Sequence, residues 1–218
     1  MQLQSKNWSV VLVGRWNSAI LTPAGIAKHI FGLEGKPLPI AVPLDGFSPY
    51  IVSNPGETLS VRVEDNRVVI DITKSSFTDM EAGLACGVNA LKNLPVTPIS
   101  GVGFNLNFSA NESAPEIISS TGCVIDKNIS DQLLTITERI IQRSIKFGEG
   151  QLNLNIKLPS KGASVNCNFH MGTTDVEKAK KWLTMPMVEI KEILGKIEKI
   201  VGVTLQEGNH EHGDKPNP

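Results

Sequence analysis

Six asparagines and one histidine form the most chemically suggestive pattern in the chain: Asn105, Asn107, Asn153, Asn155, Asn166, Asn168 and His170. Asn105 and Asn107 alternate with Phe104, Leu106 and Phe108. Asn153 and Asn155 alternate with Leu152, Leu154 and Ile156, and Asn166 and Asn168 with Val165, Cys167 and Phe169. Asparagine is disfavoured in strands, so this repeated placement asks for a reason. A carboxamide both donates and accepts, so a sheet face lined with amides could read a peptide backbone, a sugar or base edges without net charge. The same amides could instead face solvent or pair with one another across strands.

Other candidates for chemistry are weaker. His210, Glu211, His212 and Asp214 could chelate a divalent metal, but such clusters on a polar terminus are usually adventitious, and no metal is expected. His29 has no Cys, Asp or second His placed to join it. No Gly-x-Ser-x-Gly elbow, Walker A loop, Gly-x-Gly-x-x-Gly after a strand or His-Glu-x-x-His occurs. Gly101-Val102-Gly103 precedes a strand, the wrong context for a phosphate loop. Glu64-Asp65 reads as a turn, and Asp79 and Glu81 as a helix first turn. Trp8, Trp16 and Trp182 read as packing residues. Arg139, Arg143 and Lys146 form a small basic edge that would blunt strand-to-strand aggregation. An enzyme using His170 as acid or base lacks an orienting carboxylate. No cofactor is implied.

Composition narrows the classes further. The 218 residues are 40% hydrophobic with a formal net charge of -1, enough for a core and against a dedicated polyanion binder. Cys86, Cys123 and Cys167 are odd in number, far apart and set in apolar patterns, which predicts reduced core thiols. The first residues, Met1 to Lys6, lack the apolar core of a signal peptide. No apolar run approaches the roughly 20 residues that span a bilayer. A cytoplasmic protein is expected, without a membrane partner.

The elements that would position the amides follow from periodicity. Residues 151–158 and 165–169 alternate around the turn residues Pro159-Ser160-Lys161-Gly162 and predict a hairpin. Residues 59–63 and 68–72 predict an earlier hairpin around Asp65-Asn66. Each is followed by a Thr-Asp-x-Glu capping box, at Thr78 and at Thr174, that would start a helix. The first helix has Leu84, Val88 and Leu91 as a stripe and Gly83 and Gly87 on a small-residue face, where something must pack closely. The second breaks at Pro186 and resumes with Ile190, Ile193, Leu194, Ile197 and Ile200.

Residues 10–16 predict a strand covered on both faces. Thr22-Pro23 starts a short helix that stops at Gly32. The Pro-rich stretch 36–54 predicts edge strands near 40–42 and 50–52. Ser113-Ala114-Pro115 mirrors Thr22-Pro23, and Cys123-Val124-Ile125 predicts a strand. Residues 128–147 are ambiguous. Ile129, Leu133, Ile136 and Ile140 recur at helical spacing, but a run of β-branched residues favours a long strand ending at Phe147, the reading the repeat supports. Gly148-Glu149-Gly150 then turns the chain.

The expected fold is α+β: two related β-α-β4-α-like halves, 1–98 and 99–207, followed by a disordered tail, 208–218. The halves would form one curved antiparallel sheet with two long helices packed on one face. This order resembles the TATA-binding-protein-like saddle in topology, with no family motif matched. Nucleic-acid binders of that group use a basic, apolar sheet face, whereas this face is neutral and rich in asparagine. The expected function is therefore non-enzymatic binding or assembly, with a protein partner or a second copy held on the uncovered sheet face. Nucleic-acid binding through that face is the alternative, and a hydrolase-type enzyme is the least supported reading.

Overall fold

The computed structural model describes residues 1–45 and 47–207. The strands are β1 (Gln2–Ser5), β2 (Trp8–Gly14), β3 (Ile40–Ala41), β4 (Ile51–Ser53), β5 (Leu59–Glu64), β6 (Arg67–Ile72), β7 (Ile99–Ala110), β8 (Glu138–Phe147), β9 (Gly150–Pro159), β10 (Ala163–Gly172) and β11 (Thr204–Gln206). The helices are α1 (Pro23–Ile26), continued by a π-helical turn (Ala27–Phe31), α2 (Phe77–Asn93), α3 (Pro115–Thr121), α4 (Val124–Asp131), α5 (Val176–Leu183) and α6 (Met187–Val201). The strands form one curved sheet in the order β3-β4-β5-β6-β2-β7-β10-β9-β8, with β1 beside β7 and β11 beside β1. Every pairing is antiparallel except β1 with β11.

The two halves meet at β2 and β7 in the middle of the sheet. In each, the central strand is followed by a short Pro-initiated helix, then by a meander whose last strand returns beside it, then by a long helix. Thr22 caps α1 by accepting from Gly25 N, and Gly32, left-handed at φ +68°, ends the π turn.

Alternation decides which face is buried. Trp8, Val10 and Leu12 of β2, Val68, Ile70 and Ile72 of β6, Phe104, Leu106 and Phe108 of β7, and Val165, Cys167 and Phe169 of β10 all lie in the core. The helices cover that face alone. The closeness expected along α2 is present: a Cβ on Gly83 would sit 2.5 Å from Ile72 Cδ1, and one on Gly87 3.1 Å from Leu183 Cδ1 of α5. Phe104 stacks on Phe169 at 4.7 Å, and Phe147 bridges Phe169 to Trp182. Pro186 separates α5 from α6, and Lys191 of α6 lies over the Phe77 ring at 4.5 Å. Among the described residues no helix is long and apolar enough to cross a membrane.

Several local expectations are corrected. β2 is not apolar on both sides in equal measure, because Val11 and Val13 remain half-exposed on the helix-free face. Cys123-Val124-Ile125 is not a strand: residues 124–131 form α4, in which Ile125 and Ile129 stand one helical turn apart. The ambiguous stretch divides. Its first part is helical, Leu133 takes a positive φ of 59°, and the strand begins only at Glu138. Ile140 and Ile141 lie in β8, which ends at Phe147, while Thr135, Ile136 and Thr137 precede it in an irregular connection. The second half therefore returns by three strands where the first uses four.

The two capping boxes are also displaced. Ser76 caps α2, accepting from Asp79 N and donating to Asp79 Oδ2 at 2.7 Å, while Thr78 lies within the helix. Asp175, not Thr174, caps α5 by accepting from Glu177 N and Lys178 N. The shared Thr-Asp-x-Glu therefore marks inequivalent positions, and it is the strand order that relates the halves. Cys123 is exposed, whereas Cys86 and Cys167 are buried. Residues 208–218, expected as a disordered tail, lie outside the described residues.

Candidate functional site

Cross-strand partners share a face, and the registers place all six asparagines together on the side without helices. Asn166 faces Asn107 and Asn168 faces Asn105 across β10 and β7. Asn155 faces Asn166 and Asn153 faces Asn168 across β9 and β10. One row is hydrogen-bonded side chain to side chain through successive strands. Ser144 Oγ donates to Asn153 Oδ1 at 2.8 Å, Asn153 Nδ2 to Asn168 Oδ1 at 3.1 Å, Asn168 Nδ2 to Asn105 Oδ1 at 2.6 Å, and Asn105 Nδ2 to Ser9 Oγ at 3.1 Å. The amides thus pair across strands, and Gln151 Nε2 adds a bond to Asn153 Oδ1 at 3.1 Å.

The neighbouring row is less complete. Asn166 Nδ2 donates to Asn107 Oδ1, and Asn107 Nδ2 to the Asn7 carbonyl at 2.8 Å. The Asn107 carbonyl also accepts from Trp8 Nε1, which ties this row to the core at its back. Asn155 stands between Gln142 and Asn166 in register, yet its buried Oδ1 has no hydrogen-bond partner among the described residues. It borders a cleft of about 300 Å³ that is also lined by Gln142, Ser144, Asn153 and Asn166. Gln142, Ser144, Gln151 and Ser9 extend the surface beyond the residues expected from sequence. Their place follows from register, which no single strand's alternation reveals.

His170 joins the same face, but differently. Its register neighbours are Gln151 and Gly103, and its ring makes no hydrogen bond among the described residues. Its Cε1 would lie 3.1 Å from a Cβ on Gly101, so the ring occupies space that this glycine leaves. Gly103 is more constrained still, because a Cβ there would lie 2.4 Å from the Phe169 carbonyl oxygen.

The first-half part of the face carries charge in compensated form. Arg62 bonds Asp71 and, at 3.2 Å, Glu64, which also accepts from Arg67 at 2.5 Å. Burial pushes Asp71 above the usual carboxylate range, and Arg62 only partly offsets it. For Glu64, burial is outweighed by hydrogen bonds and attraction from Arg67 and Arg62, which hold it below that range. The face therefore has a neutral amide territory beside a balanced ionic one.

Other candidates resolve elsewhere. Trp8, Trp16 and Trp182 are all buried, and Trp16 Nε1 donates to the Leu12 carbonyl. His29 is half-buried in the π turn, where its carbonyl accepts from Asn93. Arg139 pairs with Asp126 of α4 at 2.8 Å, and with Arg143 and Lys146 it lies on β8, the outermost strand. Residues 210–214, the possible chelating cluster, lie outside the described residues. Among those described, no three His, Cys, Asp or Glu side chains converge as a metal site.

No protein-family model matches the chain, and no curated protein matches it. Among solved structures it is similar to the TBP of Methanococcus jannaschii, with a TM-score of 0.32 and 11% identity over 91% of this chain and 99% of that one.

Proposed function

We propose that this chain is a non-enzymatic binding or assembly protein that engages a protein surface, a partner's or a second copy's, through the helix-free face of its sheet. The observation behind this reading is the side-chain ladder from Ser144 to Ser9, which spans β8, β9, β10, β7 and β2 on an uncovered face. Polar groups already held in place lose little freedom on binding, so their contacts translate more fully into affinity. Half-exposed Val11 and Val13 add apolar area beside the ladder. A polyanion would want uncompensated cations, whereas Arg62 and Arg67 on this face are already engaged by carboxylates. A reducing, cytoplasmic setting suits the buried thiols of Cys86 and Cys167.

The test uses side chains on the face that stand outside the ladder. Asn155→Lys and His170→Lys together place two cations there without removing a ladder hydrogen bond. Affinity purification of the full chain from cell extract, followed by cross-linking, should recover a complex joined through this face, and the double variant should lose it. A complex that survives unchanged would remove the reading. Oligonucleotide binding that weakens steeply with salt would reassign the face to nucleic acid.

A further inference from the structure

β8 ends the sheet, and its ten residues pair with β9 alone. The β8–β9 turn has two residues, since Phe147 faces Gly150 and Gly148 takes φ +53°. In such a hairpin the closing pair exchanges both backbone hydrogen bonds, and pairs of that kind recur at every second residue. Phe147, Ile145, Arg143, Ile141 and Arg139 therefore turn their N–H and C=O groups toward β9. Lys146, Ser144, Gln142, Ile140 and Glu138 turn theirs outward, and no backbone partner meets them among the described residues. A long regular edge is a template for another strand unless a proline, a bulge, a covering element or charged side chains blunt it, and the charges on β8 act against any strand that does not complement them. β8 contains no proline, and its register runs without a bulge. Apolar side chains on the strand lie open: Ile140 is 52% exposed and Ile145 39%.

We propose that β8 pairs antiparallel with β8 of a second copy, across a two-fold axis at Gln142, so that one continuous sheet runs through a dimer. The charge pattern selects both the partner and the register. Outward-pointing residues must meet outward-pointing residues, so near the strand's middle the axis can pass through Ile141, Gln142 or Arg143. Centring on Ile141 sets Arg139 opposite Arg143 twice, and centring on Arg143 sets that residue opposite itself. Centring on Gln142 sets Glu138 opposite Lys146 at both ends and Arg139 opposite Ile145. Directly opposed like charges destabilise a strand pair, and opposed unlike charges stabilise it. In this register the row Asn107, Asn166, Asn155, Gln142 meets its own reverse at the axis, and amide faces amide across the interface. The pairing uses the edge of the sheet rather than its open face, so it stands independently of what that face binds.

Analytical ultracentrifugation of the full chain over a dilution series should show a reversible dimer. Glu138→Lys sets Lys against Lys at both ends and should raise the dissociation constant by about tenfold. The charge swap Glu138→Lys with Lys146→Glu should restore it to within about twofold. Gln142→Pro removes an outward N–H at the axis and should abolish the dimer, with far-UV circular dichroism reporting the fold. If that variant unfolds, the charge series decides alone. A chain that stays monomeric throughout, a dimer indifferent to Glu138→Lys, or one that the swap fails to restore would overturn the proposal.

Discussion

Asn168 holds the middle of the amide ladder, accepting from Asn153 and donating to Asn105. Asn168→Ala leaves one amide donor and one acceptor unmatched on a half-buried surface, which should cost about 1–2 kcal/mol in urea unfolding. Asn155→Ala should stay within about 0.5 kcal/mol of wild type, because its buried Oδ1 has no partner to lose. The thiols give a second residue-scale expectation. Burial pushes the Cys86 thiol up to about 11 and that of Cys167 up to about 12, from an ordinary value of 9.0. Above that value the unfolded chain releases protons that the folded chain keeps. The stability these thiols contribute is therefore whole below about 9 and drains as pH rises toward the folded values. Denaturation midpoints should fall between about pH 8.5 and about pH 10.5, and Cys86→Ala with Cys167→Ala should flatten that slope. A thiol-specific reagent on the native protein should label Cys123 quickly and the two buried thiols slowly.

Elements begin where a side chain and a backbone N–H meet, which need not be where a motif is written. Ser76→Ala and Asp175→Ala should each cost about 1 kcal/mol, while Thr78→Ala and Thr174→Ala should cost less than about 0.5 kcal/mol, read from thermal unfolding. The glycines separate in the same way. At Gly87 an added methyl meets the tip of Leu183, which can turn aside, so Gly87→Ala should be mild. At Gly103 it meets the Phe169 carbonyl between paired strands, and Gly103→Ala should destabilise by about 2 kcal/mol or more. Both hairpins, the edge strand β3 and the Pro186 break were legible as period and punctuation, whereas β4, also expected at an edge, lies between β3 and β5. α4 was not, because a short amphipathic segment with β-branched residues satisfies either period until a strand edge is present or absent beside it.

At the scale of the molecule, β1 clasps the chain ends: it pairs with β7 on one side and, in parallel, with β11 on the other. Leu3, fully buried, anchors that clasp. Leu3→Ala should cost about 2–4 kcal/mol, and hydrogen exchange should show protection lost in residues 204–206 before the central strands. The clasp joins residues about two hundred positions apart, and three-residue β11 carries no pattern of its own to announce it.

The sequence by itself determined the alternating strands, which face of each is apolar, the long helices and the amide-bearing positions, because those follow from periods of two and 3.6 residues. Only the tertiary structure decided register, and with it everything that depends on neighbours. Asn168 falls between Asn153 and Asn105, Ser9 and Ser144 close the row, and β8 is left at the edge with half of its backbone unpaired. Alternation fixes the side a residue points to, but strand pairing alone fixes what stands beside it.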